Sequence, residues 1–315
     1  MPIVKTDVPQ TSRLCSEAIR GIVEAYPFCR AGILTNTAFD RPVETLTIGS
    51  GARKVLFTAA HHANEWITST VLLKFVEELA AAIASNGELY GIPARLFDAN
   101  CTIYTVPMVD PDGVDLVTGA IPVGSLPWEQ ARRLADRYPA IPFPEGWKAN
   151  LLGVDLNLQY PAGWMQAREI KFAQGYTRPG PRDYVGRAPL DQLESRALAE
   201  YTEYIDPALV LAYHTQGKAI YWQFEDYYVE GAQALAEEFA RLSGYSAEET
   251  PYESSFAGYK DWFIKVFRRP GFTIEAGQGV NPLPLSQFDE IYADNLGILT
   301  TAALGLPEQP ETNRI

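Results

Sequence analysis

The sequence predicts an α/β fold, a sheet with helices on both faces. Short apolar runs of strand-like composition alternate with longer stretches whose apolar residues recur at helical spacing. Three of the strand-like runs lead into ionisable residues, His61-His62, His214 and Glu275, at the strand ends where open α/β sheets bind ligands. No repeat and no linker divides the chain, so a single domain over residues 1–315 is expected.

Taken in order, Ser12 to Tyr26 carries Leu14, Ile19, Ile22 and Val23 on one helical stripe, and Pro27 ends it. Gly32–Thr35 and Glu44–Ile48 read as strands joined by a polar, proline-containing turn. Val55–Thr58 follows the turn-forming Ser50-Gly51 and reads as a buried strand. Trp66 to Ala84 is helical, with Val71, Leu72, Phe75, Val76 and Leu79 on its apolar side. Ala99–Val106 is a second buried strand, running into the dense turn signal of Pro107 to Gly113. From Val114 to about Pro189 the chain is rich in Pro, Gly and Trp with little periodicity, which predicts ordered loops that build a site. Leu190 to Ile205 is a helix announced by Pro189 and acidic first turns. Ala208–Tyr213 is a strand ending at His214, Tyr228 to Leu242 a helix, Gly271–Gly277 the last core strand, and Ser286 to Leu304 a closing helix.

Bulk properties narrow the function. With 315 residues, 47% of them hydrophobic, the chain can bury a large core. A net charge of −13 argues against nucleic acid as the main partner, because phosphate binding needs a basic face. Three cysteines, Cys15, Cys29 and Cys101, are too few and too scattered for a disulfide framework or a cysteine-bound zinc; Cys15 and Cys101 read as small core residues. The polar N-terminal stretch lacks the apolar core of a secretory signal, and no run approaches a membrane span. A cytoplasmic protein with no membrane partner is therefore expected.

The stretch Ala59-Ala-His-His62-Ala-Asn-Glu65-Trp66 closes one strand and opens one helix. His62 and Glu65, three apart, share a face of any helical turn formed there. The chain has only three histidines, and all of them lie at strand ends. His62, Glu65 and His214 together make a His₂Glu set with an open fourth position, which is the catalytic rather than the structural form of a zinc site. Glu275, ending a strand of Phe, Thr and Ile, is then the natural general base.

Five segments, His62-Ala-Asn-Glu65-Trp, Asp110-Pro-Asp-Gly, Gly153-Val-Asp-Leu-Asn157, Tyr213-His214 and Phe272-Thr-Ile-Glu275, occur in the order found in zinc carboxypeptidases of the carboxypeptidase A type. The resemblance runs from about residue 12 to 304. It implies a mixed, twisted eight-stranded sheet, one zinc ion and amide hydrolysis. His62, Glu65 and His214 match the family's zinc ligands, a set already known for carboxypeptidase A, and Glu275 matches the base that deprotonates the attacking water. Lys148, in Trp147-Lys-Ala-Asn150, looks like the counterpart of the arginine that holds the oxyanion, although a lysine lacks the planar fork.

Where the family clamps a terminal carboxylate with Asn-Arg, this chain has Asn157 followed by Leu158, and Asn64 replaces a second arginine of the binding site. Removal of single C-terminal residues is thereby disfavoured. The segments Trp147-Lys-Ala-Asn, Gly153 to Trp164, Gly258-Tyr-Lys-Asp-Trp262 and Arg268 to Glu275 look like a bacterial branch, the γ-D-glutamyl-L-diamino acid peptidases, which cut peptidoglycan stem peptides. No pro-domain and no LysM repeat accompanies them here, so recycling of wall peptides inside the cell, or action in a sporulating cell, is expected.

Such a substrate carries several carboxylates. Counting back from Glu275 puts Lys260 at the family's specificity-pocket position, and Lys260 with Arg182 or Arg187 is expected to read those carboxylates. Tyr252 or Tyr259 competes for the role of the family's mobile tyrosine, a direct count falling on Glu253. Alternative readings are a metallocarboxypeptidase on ordinary peptides, an amidohydrolase of N-acylated amino acids, and a non-catalytic zinc-containing binder of wall peptides.

Overall fold

The computed structural model of the protein describes residues 2–306. Helix α1, Ser12–Ala25, starts where the Thr11 side chain accepts from the Leu14 N–H at 3.2 Å. Strands β1 (Arg30–Asn36), β2 (Pro42–Ile48) and β3 (Arg53–Ala59) follow, then helix α2 (Ile67–Ala84). A two-residue ladder, β4 (Glu88–Leu89) with β5 (Ile92–Pro93), leads to α3 (Arg95–Asn100) and β6 (Cys101–Val106). Helices α4 (Pro111–Val117), α5 (Leu126–Ala135), α6 (Trp164–Ala173) and α7 (Leu193–Ile205) come next. The chain continues through β7 (Leu209–His214), β8 (Ala219–Tyr221), α8 (Ala232–Ser243), β9 (Ser246–Glu248), α9 (Tyr259–Phe267), β10 (Gly271–Glu275) and α10 (Phe288–Leu304).

Eight strands form one mixed sheet in the order β1-β2-β6-β3-β7-β10-β8-β9. The centre is parallel, β6, β3, β7 and β10 running together, while β2 and β8 join it antiparallel. Successive side chains of a strand face opposite sides, and the core divides accordingly. Val55 and Phe57 of β3, with Leu209 and Leu211 of β7, pack under α1, α2, α3, α8 and α10. Leu56, Val210 and Ala212 point the other way, to α6, α7 and α9. Both faces are covered, which is why the central strands read as unbroken apolar runs. All three cysteines are buried and free, as core residues. Among the described residues no helix is long and apolar enough to cross a membrane.

Six of the eight strands and the helices α1, α2, α7, α8 and α10 follow the sequence-based expectation, while β8, β9 and α9 are additions to it and the stretch from Val114 to Pro189 departs from it. It holds three helices rather than loops alone. Asp110 is the N-cap of α4, accepting from the Gly113 N–H at 2.9 Å, with Pro111 in the first turn. A turn signal and a helix start use the same residues, Asp for a free N–H and Pro for its preset φ. A Cβ on Gly113 would stand 2.6 Å from the Ala149 carbonyl oxygen and 2.8 Å from Ala63 Cβ. Only glycine lets α4 seat against the turn that carries Glu65. Residues 95–100, expected in part as strand, form α3.

Candidate metal centre

Three neighbouring parallel strands deliver the site. β3 ends at Ala59, and the chain turns through Ala60, in the left-handed region at φ 47°, into His62 and a 3₁₀ turn over Ala63–Glu65. That turn is pinned by two backbone donors: the Ala60 N–H to Thr68 Oγ1 at 3.0 Å, and the Ala63 N–H to the Lys148 carbonyl at 3.0 Å. His214 is the last residue of β7, one step beyond the Ala59–Tyr213 pairing, and Glu275 is its partner on β10. Strand register therefore sets His214 beside Glu275, and the pinned turn after β3 brings His62 and Glu65 to them.

His62 Nδ1 lies 3.0 Å from Glu65 Oε1 and 3.2 Å from His214 Nδ1, and His214 Nδ1 lies 3.0 Å from Glu65 Oε2. These are close to the edge of a tetrahedron with zinc–ligand bonds of ~2 Å, about 3.3 Å. Two imidazole nitrogens and a carboxylate, all buried and with one side open to a cavity, fit zinc in its catalytic form. His61 is excluded from the set. Its Nε2 meets Thr58 Oγ1 at 2.8 Å, and its ring stacks on His214 from behind with centroids 5.3 Å apart.

The carboxylate of Asp155 completes the support. Its Oδ1 is 3.1 Å from His62 Nε2, the ring nitrogen turned away from the donor set. Its Oδ2 accepts from the Asp183 N–H at 3.2 Å. This carboxylate–histidine contact fixes which nitrogen faces a metal. Glu65 is held from the other side by the Thr215 N–H at 3.2 Å and by Lys148 Nζ at 2.9 Å.

Electrostatics follow burial and neighbours. Burial opposes charge on His62, but Glu65 and Asp155 outweigh it and lift the imidazole to about 9. Burial likewise resists the ionisation of Glu65, yet His62 and Lys148 hold its carboxyl well below the usual carboxylate range. His214 and His61 are pushed down, mainly by burial. Burial, reinforced by the charge of Glu65, pushes Glu275 up to about 8.

A cavity of about 720 Å³ opens beside the donor set, lined by His62 among the three. Lys148, Glu275, Asn157, Lys260, Arg182 and Asn64 all line it. Asn157 uses its Oδ1 to accept from the Tyr259 N–H at 3.0 Å, and Asn64 donates to the Glu145 carbonyl at 3.1 Å while its own Oδ1 is buried without a partner. Arg187 is not brought to the cavity. Its side chain is 87% exposed, with Nε 3.7 Å from Asp191. Of the tyrosines weighed for mobility, Tyr259 is fully buried and bonded to Thr202, while Tyr252 is exposed and lines a neighbouring depression instead.

Lining residues that escaped the sequence reading as site residues include Asp155, Lys171, Asp183 and Tyr221. Asp155 lies inside the Gly153-Val-Asp-Leu-Asn157 segment, so a signal existed for it. Tyr221 is opposite Thr273 in the β8–β10 ladder, two positions before Glu275 on the same face.

Comparison with known proteins agrees with this geometry. The sequence matches the zinc carboxypeptidase family over residues 16–297. It is 42% identical over 280 residues to the gamma-D-glutamyl-L-diamino acid endopeptidase 1 of Lysinibacillus sphaericus, covering 89% of this chain and 68% of that protein. The fold is similar to bovine thrombin-activatable fibrinolysis inhibitor, with TM-score 0.71 at 15% identity over 95% of this chain and 97% of that one. It is also similar to the murein-tripeptide amidase MpaA of Escherichia coli O157, with TM-score 0.55 at 17% identity over 89% and 93% of the two chains.

Proposed function

The chain belongs to the zinc carboxypeptidase family, a zinc-dependent metallopeptidase, and we propose that it hydrolyses the γ-D-Glu–meso-diaminopimelate amide bond of peptidoglycan stem peptides. The observation that carries this choice of bond is the 42% identity, over 89% of the chain, to a relative named as a gamma-D-glutamyl-L-diamino acid endopeptidase. Leu158 in the cavity wall supports it, since an apolar side chain cannot clamp the terminal carboxylate of an ordinary peptide.

His62, Glu65 and His214 would hold the zinc, with Asp155 fixing the tautomer of His62. Bound there, zinc supplies a Lewis acid that polarises the scissile carbonyl and acidifies water. Glu275 takes a proton from the attacking water on its carboxylate. The water oxygen bonds to the γ-carbonyl carbon, and the ammonium of Lys148 balances charge on the former carbonyl oxygen. Glu275 then returns the proton to the diaminopimelate nitrogen as the C–N bond breaks, leaving a glutamyl carboxylic acid and a free amine, which exchange the remaining proton to give carboxylate and ammonium.

The test is product analysis by mass spectrometry after incubating zinc-loaded protein with L-Ala-γ-D-Glu-meso-diaminopimelate. Release of L-Ala-D-Glu and free diaminopimelate, abolished by a chelator, is the expected result. Intact tripeptide together with trimming of ordinary peptides from the C-terminus would replace this reading with a metallocarboxypeptidase.

A further inference from the structure

We infer that Arg182 and Lys171, joined through Asp183, form a carboxylate-binding subsite in the cavity wall that takes a free carboxylate of the substrate. The inference rests on the γ-glutamyl peptidase reading and names the part of the cavity that recognises its acidic substrate.

Elimination comes first. Lys260 donates to the Gln223 carbonyl at 2.5 Å and to Thr250 Oγ1 at 3.3 Å, and its ammonium is ion-paired with Asp261 Oδ1 at 2.6 Å. Buried and paired one-to-one with Asp261, its charge is already balanced within the wall. Arg187 stands outside the cavity. Lys148 is committed to the reaction centre.

Arg182 and Lys171 differ in kind. Asp183 accepts Arg182 Nε at 2.6 Å on one oxygen and faces Lys171 Nζ at 2.7 Å with the other. One carboxylate thus pairs with two cations; Asp155, the next carboxylate in the wall, also attracts Arg182 but is hydrogen-bonded to His62 and to the Asp183 N–H and makes no direct bond to the guanidinium. The two terminal nitrogens of Arg182 meet no acceptor among the described residues, while Nε fixes the plane of the guanidinium. That leaves the forked edge that pairs with a carboxylate by two parallel bonds. Lys171 is only 7% exposed, so its charge is poorly balanced by solvent.

The subsite is also fixed relative to the metal donors. The Lys148 N–H bonds the Pro181 carbonyl at 2.7 Å, and the Asp183 N–H bonds Asp155, which holds His62. Two cations facing one cavity beside the reaction centre call for an anion between them. The substrate offers two near the scissile bond: the α-carboxylate of the γ-linked glutamyl residue and the carboxylate of the leaving diamino acid.

The experiment uses zinc-loaded full-length protein and three peptides: L-Ala-γ-D-Glu-meso-diaminopimelate, and the same peptide with either of those two carboxylates converted to a carboxamide. The quantity read is kcat/KM for each amide relative to the parent. For wild type, one amidation is expected to cost about tenfold or more, the usual scale of a charged hydrogen bond. In Arg182→Gln and in Lys171→Gln that ratio should move toward one, and the position whose penalty vanishes identifies the carboxylate that is read. Ratios are insensitive to a partial loss of active protein, and Lys171 on α6 provides a variant outside the Arg182 loop. Penalties that survive both substitutions, or no penalty in wild type, would overturn the subsite and leave Arg182 and Lys171 as loop ion pairs. A wild type that does not cut the parent peptide would remove the γ-glutamyl reading itself, and the subsite with it.

Discussion

Asp155 Oδ1 stands 3.1 Å from His62 Nε2, on the far side of an imidazole whose Nδ1 faces Glu65 and His214. Ninety-three residues of chain separate the two, so the contact exists only in the fold. Its consequence is measurable. Asp155→Asn should weaken zinc binding by about 10–100-fold, the usual effect of removing such a partner, with the fold retained. Competition against a chromogenic chelator reads this directly, and unchanged affinity would reduce Asp155 to a cap of the short turn that follows it.

Lys148 reaches the donor set from a loop, with its ammonium 2.9 Å from Glu65. If it stabilises charge that develops during the reaction, Lys148→Ala should lower kcat by about 10²–10³-fold and change KM far less. Lys148→Arg should recover a large part of that loss. A defect confined to KM would make Lys148 a ground-state ligand instead.

Glu194 on α7 gives a prediction about stability. It is 2% exposed; burial, then the neighbouring Asp112, pushes its carboxyl up to about 7. The folded chain therefore keeps a proton that the unfolded chain has already released. Stability from this source is complete below about pH 4.5 and is lost as pH rises through 7. Glu194→Gln carries no such penalty and should add up to about 3 kcal/mol at pH 8 while changing little at pH 4. Urea unfolding at the two pH values checks it, and an equal shift at both would contradict the cause given.

The central sheet and the metal donors could be read from the sequence because each is set locally. Val55–Thr58 and Leu209–Tyr213 are buried on both faces, so their apolar runs are unbroken; strand direction places His214, and the short turn after β3 places His62 and Glu65. Helices α5 and α6 were hidden by their burial. α5 buries only Ala131 and Ala135, and α6 only Trp164, Ala167 and Lys171, which makes no apolar stripe. α9 was hidden for a related reason, since the Lys260–Asp261 pair interrupts its buried side. The same blindness cost Lys171, a buried cation whose partner is twelve residues away in an irregular segment. Lys260 and Arg187 illustrate the converse. Charge and position nominate them, but the buried ion pair of one and the exposure of the other are facts of the fold.

The measurement that bears most directly on the site joins metal content to turnover in Glu275→Gln. Glu275 is the register partner of His214 but not one of the three donors, so the variant should bind one zinc per chain by elemental analysis. Its turnover of the γ-D-Glu–diaminopimelate tripeptide should fall by at least about a hundredfold. Full zinc occupancy with undiminished turnover would contradict the assignment of Glu275 as the base. Loss of zinc together with activity would make it part of the metal site and require a different proton acceptor.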